Sequence, residues 1–419
     1  MKTLPVKKAV VVIGLLTVSA IAADWPQWRG PQRDGLSTET GLMKEWPKGG
    51  PKLIWQLTDI GSGYSTPAVV GDRFYIIINT GDDEYVEARS IADGKKMWSR
   101  KIGKVGRNSG PQYPGSRSTP TVDGDMLYAL GSDGDLVCLD TAAGKEVWHK
   151  SLRKDFSGKP GMWAYSESPL IDGNVLVCTP GGTEATVVAL NKTNGQPIWK
   201  SPLPEGDAAA YASPIVTNAG GVSQYVTFLS KGVVGIEAKS GKLLWRYDKT
   251  AAKSPANIPT PVAHDGSVYT STSMGGAGLF KIKGEGSTFE ADPVYFDKQL
   301  PSSIGGSVLI GGYLYGTNGK GLMCVEFSTG KVKWTDSCVG PASVCSAEGR
   351  LYLHGEKGDV ALVEATPEGY HELGRFTPPN QPKHKQQMGR AWPYPVVANG
   401  RLYFRDLDRL WCYDISSAK

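Results

Sequence analysis

Histidine is scarce in this 419-residue chain. There are five, His149, His264, His354, His371 and His384, spread apart without metal-ligand spacing, which argues against a histidine-based metal centre. None of the six cysteines is adjacent to another. A G-x-S-x-G nucleophile elbow is absent. "DGD" at 123–125 and 133–135 lacks the spacing of a calcium loop. "GSGYST" (61–66) precedes a strand and not a helix, so it is not expected to be a phosphate loop. Charge of one sign is never concentrated. The formal net charge is +5, and Lys2, Lys7 and Lys8 carry three of those units, leaving +2 for the rest. Nucleic acid is therefore not an expected partner. Past the first 22 residues nothing is apolar and long enough to span a bilayer, and no stretch keeps a helical period. Apolar residues still make up 40%, enough for a substantial core.

The first residues stand apart. "MKTLPVKKAVVVIGLLTVSAIAADW" has an early lysine cluster, an apolar run from Ala9 to about Val18, and Ala20 and Ala22 in a small-x-small cleavage pattern. Residues 1–22 are expected to be a secretory signal peptide. The alternative is an uncleaved anchor, for which the run is short against the roughly 20 residues of a bilayer span. No cysteine follows the run, so a lipid-anchored mature end is not indicated. The expected location is periplasmic or extracellular, where disulfides form. Cys138 ("LVCLD"), Cys324 ("LMCVE"), Cys412 ("LWCYD") and Cys178 ("LVCTP") read as small buried hydrophobes. Cys338 and Cys345, across a turn in "SCVGPASVC", are the disulfide candidates.

What the chain does have is a repeat. "DGKKMW", "AGKEVW", "NGQPIW", "SGKLLW" and "TGKVKW" end at Trp98, Trp148, Trp199, Trp245 and Trp334. A worn copy, "GGPKLIW", ends at Trp55, and two weaker copies are assigned to Phe296 and Phe376. A second phrase keeps step in eight copies, from "STPAVVGDRFY" (65–75) to "YPVVANGRLY" (394–403). Each unit therefore holds four short strands joined by Gly/Asp/Asn turns. Units of about 40–50 residues with four strands are blades of a β-propeller. The glycine permits a positive φ at the turn, and the tryptophan is expected to fill the gap between blades. An orphan outer strand, "PKLIWQL" (51–57), should complete the blade left open at "RLWCYDISS" (409–417). The expected fold is all-β, an eight-bladed propeller of four-stranded antiparallel blades over 51–419, closed by that N-terminal strand. Residues 23–50, with "DWPQWRGPQRDGLS", form a strap over the ring or a lid on one mouth of the channel.

Both phrases resemble the PQQ-like propeller repeat. That repeat occurs in quinoprotein alcohol dehydrogenases, which hold pyrroloquinoline quinone over an eight-bladed ring, and in the lipoprotein that scaffolds outer-membrane β-barrel assembly. With "WPQWRGPQRDG" in front, the chain looks most like exported bacterial members of the family. The resemblance implies a calcium ion on the quinone, held by carboxylate and amide oxygens, a catalytic aspartate and often an adjacent cysteine pair. No residue here matches the cysteine pair, and the chain has almost nothing beyond its blades. No cofactor is expected, with quinone and calcium kept as the alternative.

The loops preceding the innermost strands are rich in polar and aromatic residues: Tyr64, Arg117, Trp163, Tyr165, Glu167, Tyr211, Asn257, Ser303, Arg390 and Trp392. Converging at one channel mouth, they could form a ligand pocket with Arg117 and Glu167 as its ionisable pair. The competing expectation is a ring of mutual hydrogen bonds that holds the channel shut. The favoured function is a binding or scaffold protein that holds an unidentified small molecule or protein at that mouth. The alternatives are a quinone-dependent oxidoreductase with a reduced site and a structural envelope or outer-membrane assembly component.

Overall fold

Short strands rich in Val, Ile, Leu and Tyr, separated by glycine turns, give a sheet that is apolar on both faces. Such a sheet must be covered on both sides, and here its neighbours do so. The computed structural model describes residues 23–417 except 59, 110–112, 114, 253–255, 287 and 384–389. The expected signal peptide and His384 lie outside the described residues. Among the described residues there are eight sheets of four antiparallel strands, one carrying an added fifth strand. The innermost strands are Ala68–Val70, Thr121–Asp123, Leu170–Asp172, Ile215–Ala219, Val262–His264, Ser307–Ile310, Ala342–Ala347 and Val396–Ala398. The one short helix among the described residues, Leu152–Asp155, is capped by Ser151. The buried clusters join facing surfaces of neighbouring blades, as where Val86 and Ala88 of the first meet Val137 and Leu139 of the second. The ring closes where Lys52–Leu57 pairs antiparallel with Arg409–Asp414, placing Trp55 opposite Cys412.

The repeated tryptophans lie between blades. The indole N–H of Trp98 donates to Thr141 O at 3.1 Å, that of Trp148 to Lys192 O at 2.9 Å, and that of Trp199 to Ala238 O at 3.1 Å. Each acceptor belongs to the next blade. The ring also covers that blade's turn glycine: a Cβ on Gly144 would lie 2.6 Å from Trp98, and one on Gly241 2.6 Å from Trp199. Both glycines have positive φ, 66° and 76°. Glycine is thus required twice, for the turn and for the neighbour's ring. Trp245 departs from the pattern. It lies over Gly235 of its own blade and donates to buried Gln224 Oε1 at 2.6 Å.

Two assignments are corrected by strand register. In the fifth blade the tryptophan position is Tyr295, opposite Leu279, and not Phe296. The Tyr295 hydroxyl donates to Phe327 O of the next blade at 2.9 Å. In the seventh blade that position is Gly374, opposite Leu362, while Phe376 sits two residues further on. Trp46 supplies the missing bulk from the N-terminal segment. Its backbone N–H donates to Leu373 O at 2.8 Å, and its ring packs edge-on against Phe376 at 5.3 Å.

Residues 24–37 of the N-terminal segment run along the inner strands, and residues 42–46 then cross the ring as a strap, where Leu42 bridges Ser416, Met43 N donates to Ile415 O and Trp46 N donates to Leu373 O. The segment enters where Asp24 accepts from Gly71 N, in the turn after the first inner strand. Trp25 and Val69 exchange backbone hydrogen bonds at 2.8 Å, and Val122 N donates to Pro26 O. Arg29 then donates to Ser307 O, and Arg33 to Ser168 O and Pro169 O. Leu36–Ser37 returns as a parallel fifth strand beside Ala342–Ala347, and Glu39 leaves by accepting from Asn399 N. Inner strands from both halves of the ring, or the residues beside them, are thus held by this plug.

The six cysteines are free and buried. The expected Cys338–Cys345 bridge is absent because the two thiols sit in different interblade clusters, on opposite faces of the seventh blade. Burial pushes the Cys138 thiol up to about 11.

Candidate functional site

Each inner strand is entered by a loop at the mouth opposite the plug's ends. The Ser and Thr residues of these loops bond to one another. Thr66 Oγ1 meets Thr119 Oγ1 at 2.6 Å, Thr119 N donates to Ser168 Oγ, and Ser168 N to Ser213 Oγ, both at 2.9 Å. Four consecutive loops are thereby pinned. The two glycines of "GSGYST" serve the same end. A Cβ on Gly61 would lie 2.0 Å from Asn79 O, and one on Gly63 2.8 Å from the buried Arg405 guanidinium. Side chains between the pinned positions are free to face the opening.

There they enclose a cavity of about 210 Å³. Tyr64, Trp392, Tyr113, Trp163 and Tyr211 form one wall as a continuous belt, with successive ring centroids 5.4, 5.1, 5.9 and 5.4 Å apart. Trp28, at the tip of the plug, forms the base with Tyr394. Those rings meet edge-on at 4.7 Å, and the Trp28 indole is fixed on Thr260 Oγ1 at 3.0 Å. The channel is therefore a blind cup. Ile258, Pro259 and Ile304 complete the far wall.

Arg117 is the cup's cation. It donates to Asn108 Oδ1 at 3.2 Å, to Gly115 O at 3.3 Å and to Tyr113 O, and it lies 5.9 Å from the Tyr64 ring centroid. Among the described residues no carboxylate forms an ion pair with it. Burial lowers its pKa, opposed by Tyr64 and Glu84. Three buried polar atoms of the lining have no hydrogen-bond partner among the described residues: Tyr64 Oη, Trp163 Nε1 and Ser166 Oγ. Burial raises the Tyr64 phenol above its usual range.

Of the ten residues expected at the mouth, Tyr64, Arg117, Trp163, Tyr211 and Trp392 line the cup. Ser303 and Arg390, again with Trp392, line an adjoining cavity of about 420 Å³ that also contains Lys298, Lys320 and Glu356. Glu356 is engaged by Arg390 at 2.6 Å and by the Trp392 indole at 3.1 Å. Tyr165, Glu167 and Asn257 lie outside both. The Tyr165 hydroxyl donates to Pro180 O at 3.0 Å. Asn257 ties Leu229 O, Ser230 O and Ala252 N together. Glu167 accepts from Thr179 N and Oγ1, each at 2.5 Å. Burial pushes its carboxyl up to about 7, against Thr179 and Arg33. The expected Arg117–Glu167 pair does not form.

Trp28, Tyr113, Ser166 and Tyr394 escape the sequence reading. Tyr394 falls in step two residues after Trp392, and Ser166 falls out of step between Tyr165 and Glu167, both inside the same loop phrases. Trp28 cannot be placed without knowing that its segment enters the channel.

A calcium-bound quinone does not fit this lining. Among the described residues the cup walls carry no carboxylate or side-chain amide, the hard oxygen donors that calcium requires. No group of three His, Cys, Asp or Glu among them could hold a metal.

A family model described as outer membrane protein assembly factor BamB matches residues 82–336. The protein of that name from Burkholderia pseudomallei is 23% identical over 256 residues, covering 59% of this chain and 60% of that one. Quinoprotein alcohol dehydrogenase PedH from Pseudomonas putida is 23% identical over 344 residues, covering 78% of this chain and 50% of PedH. The chain thus matches less than two thirds of either relative's length. The crystal structure of BamB from Moraxella catarrhalis superposes with a TM-score of 0.59 at 14% identity, covering 87% of this chain and 99% of that one. At that identity the likeness is one of fold.

Proposed function

From the premise that the chain belongs to the PQQ-like propeller family described as outer membrane protein assembly factor BamB, we propose that it is an exported binding protein that holds a small ligand in the aromatic cup. One observation carries this. Tyr64 Oη, Trp163 Nε1 and Ser166 Oγ are buried in the lining without partners among the described residues. A buried polar atom left unpaired costs about 1–3 kcal/mol, which a ligand hydrogen-bonding to these three as it seats in the cup would recover. No helix among the described residues is long and apolar enough to cross a membrane. A second role, as a protein scaffold, is favoured by Met97, Val147 and Ile198. These stand exposed at the same position of three consecutive outer strands.

Two small substitutions test the ligand role. Tyr64→Phe and Ser166→Ala delete unpaired atoms only. The free protein should stay as stable or gain about 1 kcal/mol in urea unfolding. Native mass spectrometry of protein taken from the cell envelope should show one small-molecule adduct on the wild type and about tenfold less on either variant. Destabilised variants with unchanged adduct would assign these atoms to the fold and end the proposal.

A further inference from the structure

We infer that the ligand is an anionic saccharide, one sugar ring resting on the cup's aromatic faces with its acidic group towards Arg117. The inference rests on the cup being a ligand site, and it names the ligand's chemical class. The shape of the wall comes first. Along the belt from Tyr64 to Tyr211, successive rings are inclined by 37° to 65°. A flat polycycle needs two parallel faces, which this bowl does not offer. A puckered ring presents C–H groups in several directions, and each can meet the electron-rich face of a tilted aromatic.

The unpaired atoms narrow the class further. The Trp163 indole is a donor only, whereas Tyr64 and Ser166 hydroxyls both donate and accept. Sugar hydroxyls do both and can satisfy all three. A hydrocarbon of the same size would leave them unpaired. The charge follows from Arg117. Among the described residues its guanidinium is bonded to neutral oxygens, Asn108 Oδ1, Gly115 O and Tyr113 O. Glu84 acts on it only at a distance, and a half-buried cation with no ion-paired carboxylate among the described residues favours an anion beside it.

Size and surroundings extend the ligand beyond one ring. The cup's volume of about 210 Å³ is below the roughly 300 Å³ at which pockets for drug-sized molecules begin. The adjoining cavity, about 420 Å³, shares Ser273, Ser302, Ile304 and Trp392 with it. Its exposed Lys298 and Lys320 form no ion pair among the described residues, and its one carboxylate, Glu356, is held by Arg390. A chain of two or three acidic sugars leaving the cup would run over cationic, hydrogen-bonding ground.

The test is tryptophan fluorescence, since Trp28, Trp163 and Trp392 all line the cup. The probes are trigalacturonate, the same-length neutral galactotriose, a sulfated galactose trisaccharide, inorganic sulfate and pyrroloquinoline quinone. Saturable quenching by the carboxylated or the sulfated sugar, at least tenfold tighter than by galactotriose, is expected. Whichever of the two quenches identifies the acid. Arg117→Gln should remove that preference while galactotriose affinity stays. Should that variant not fold, Lys298→Gln with Lys320→Gln, at exposed positions, should lower trigalacturonate affinity severalfold and leave galactotriose unchanged. Equal affinity for acidic and neutral sugars overturns the charge assignment. Inorganic sulfate matching the sugar, or quenching by the quinone alone, overturns the saccharide while leaving the cup a ligand site. Silence from every probe, with an adduct still seen by mass spectrometry, also overturns the class alone. Silence together with no adduct removes the cup's role as well.

Discussion

Glu167 shows how far a single residue can be read from sequence. It stands in a loop rich in aromatics, and its charge marks it as half of a pair with Arg117. The backbone turns it the other way, onto Thr179 N and Oγ1. No pattern in one dimension distinguishes the two sides of such a loop. Burial raises its carboxyl from near 4.5 to about 7, and burial raises Glu84 to about 7 as well. The folded chain therefore binds more protons than the unfolded one between those values. The stability these groups contribute is complete below about 4.5 and is lost as pH rises through 7. For Glu167 the change is on the order of 3 kcal/mol. Glu167→Gln should keep the bonds to Thr179 and roughly halve the fall in urea midpoint between pH 5 and pH 8, with Glu84 supplying the rest. A wild-type midpoint that rises over that interval would refute the account.

At the scale of elements, the repeat is legible because its parts obey independent physical demands at fixed spacing. Gly144 needs a positive φ and must also clear the Trp98 ring, so glycine and tryptophan recur together. Where the fourth strand is irregular, spacing alone misleads. Phe296 and Tyr295 are neighbours, and a slip of one residue exchanges the two faces of a strand. Pairing with Leu279 decides for Tyr295. In the seventh blade nothing in the strand could reveal the answer. The bulk opposite Leu362 is absent at Gly374, and Trp46 arrives from the N-terminal segment. Trp46 is thus a core residue of the ring. Trp46→Ala should cost about 3–5 kcal/mol in urea unfolding, as much as Trp148→Ala within the repeat. A loss under about 1 kcal/mol, well below the cost of truncating a packed ring, would make the segment a tether without a packing role.

For the molecule as a whole, the eight copies and the orphan strand make closure legible, while the plug is not. A propeller's channel is lined by backbone edges and short side chains, and sequence does not say what fills it. Here Arg29 bonds to the inner-strand carbonyl of Ser307, and Arg33 to Ser168 O and Pro169 O just before another inner strand, all far along the chain. The seam has a separate fastening. Lys52–Leu57 pairs with Arg409–Asp414, and buried Arg405 reaches from the last blade to Ser65 O, Ile77 O and Gly61 O of the first, at 3.1, 3.0 and 2.9 Å. Plug and seam should therefore fail differently. Removing residues 24–37 leaves the closing strand in place. The product should keep the parent's elution volume and unfold in one calorimetric transition at lower temperature, with the tryptophan signal of the cup altered because Trp28 is gone. Removing residues 24–57 also exposes the edge of Arg409–Asp414. An open strand edge recruits other chains. That product should lose the single transition and elute as aggregates or dimers. If both truncations keep the parent's elution volume and the same transition, strand pairing at the seam is not what holds the ring closed.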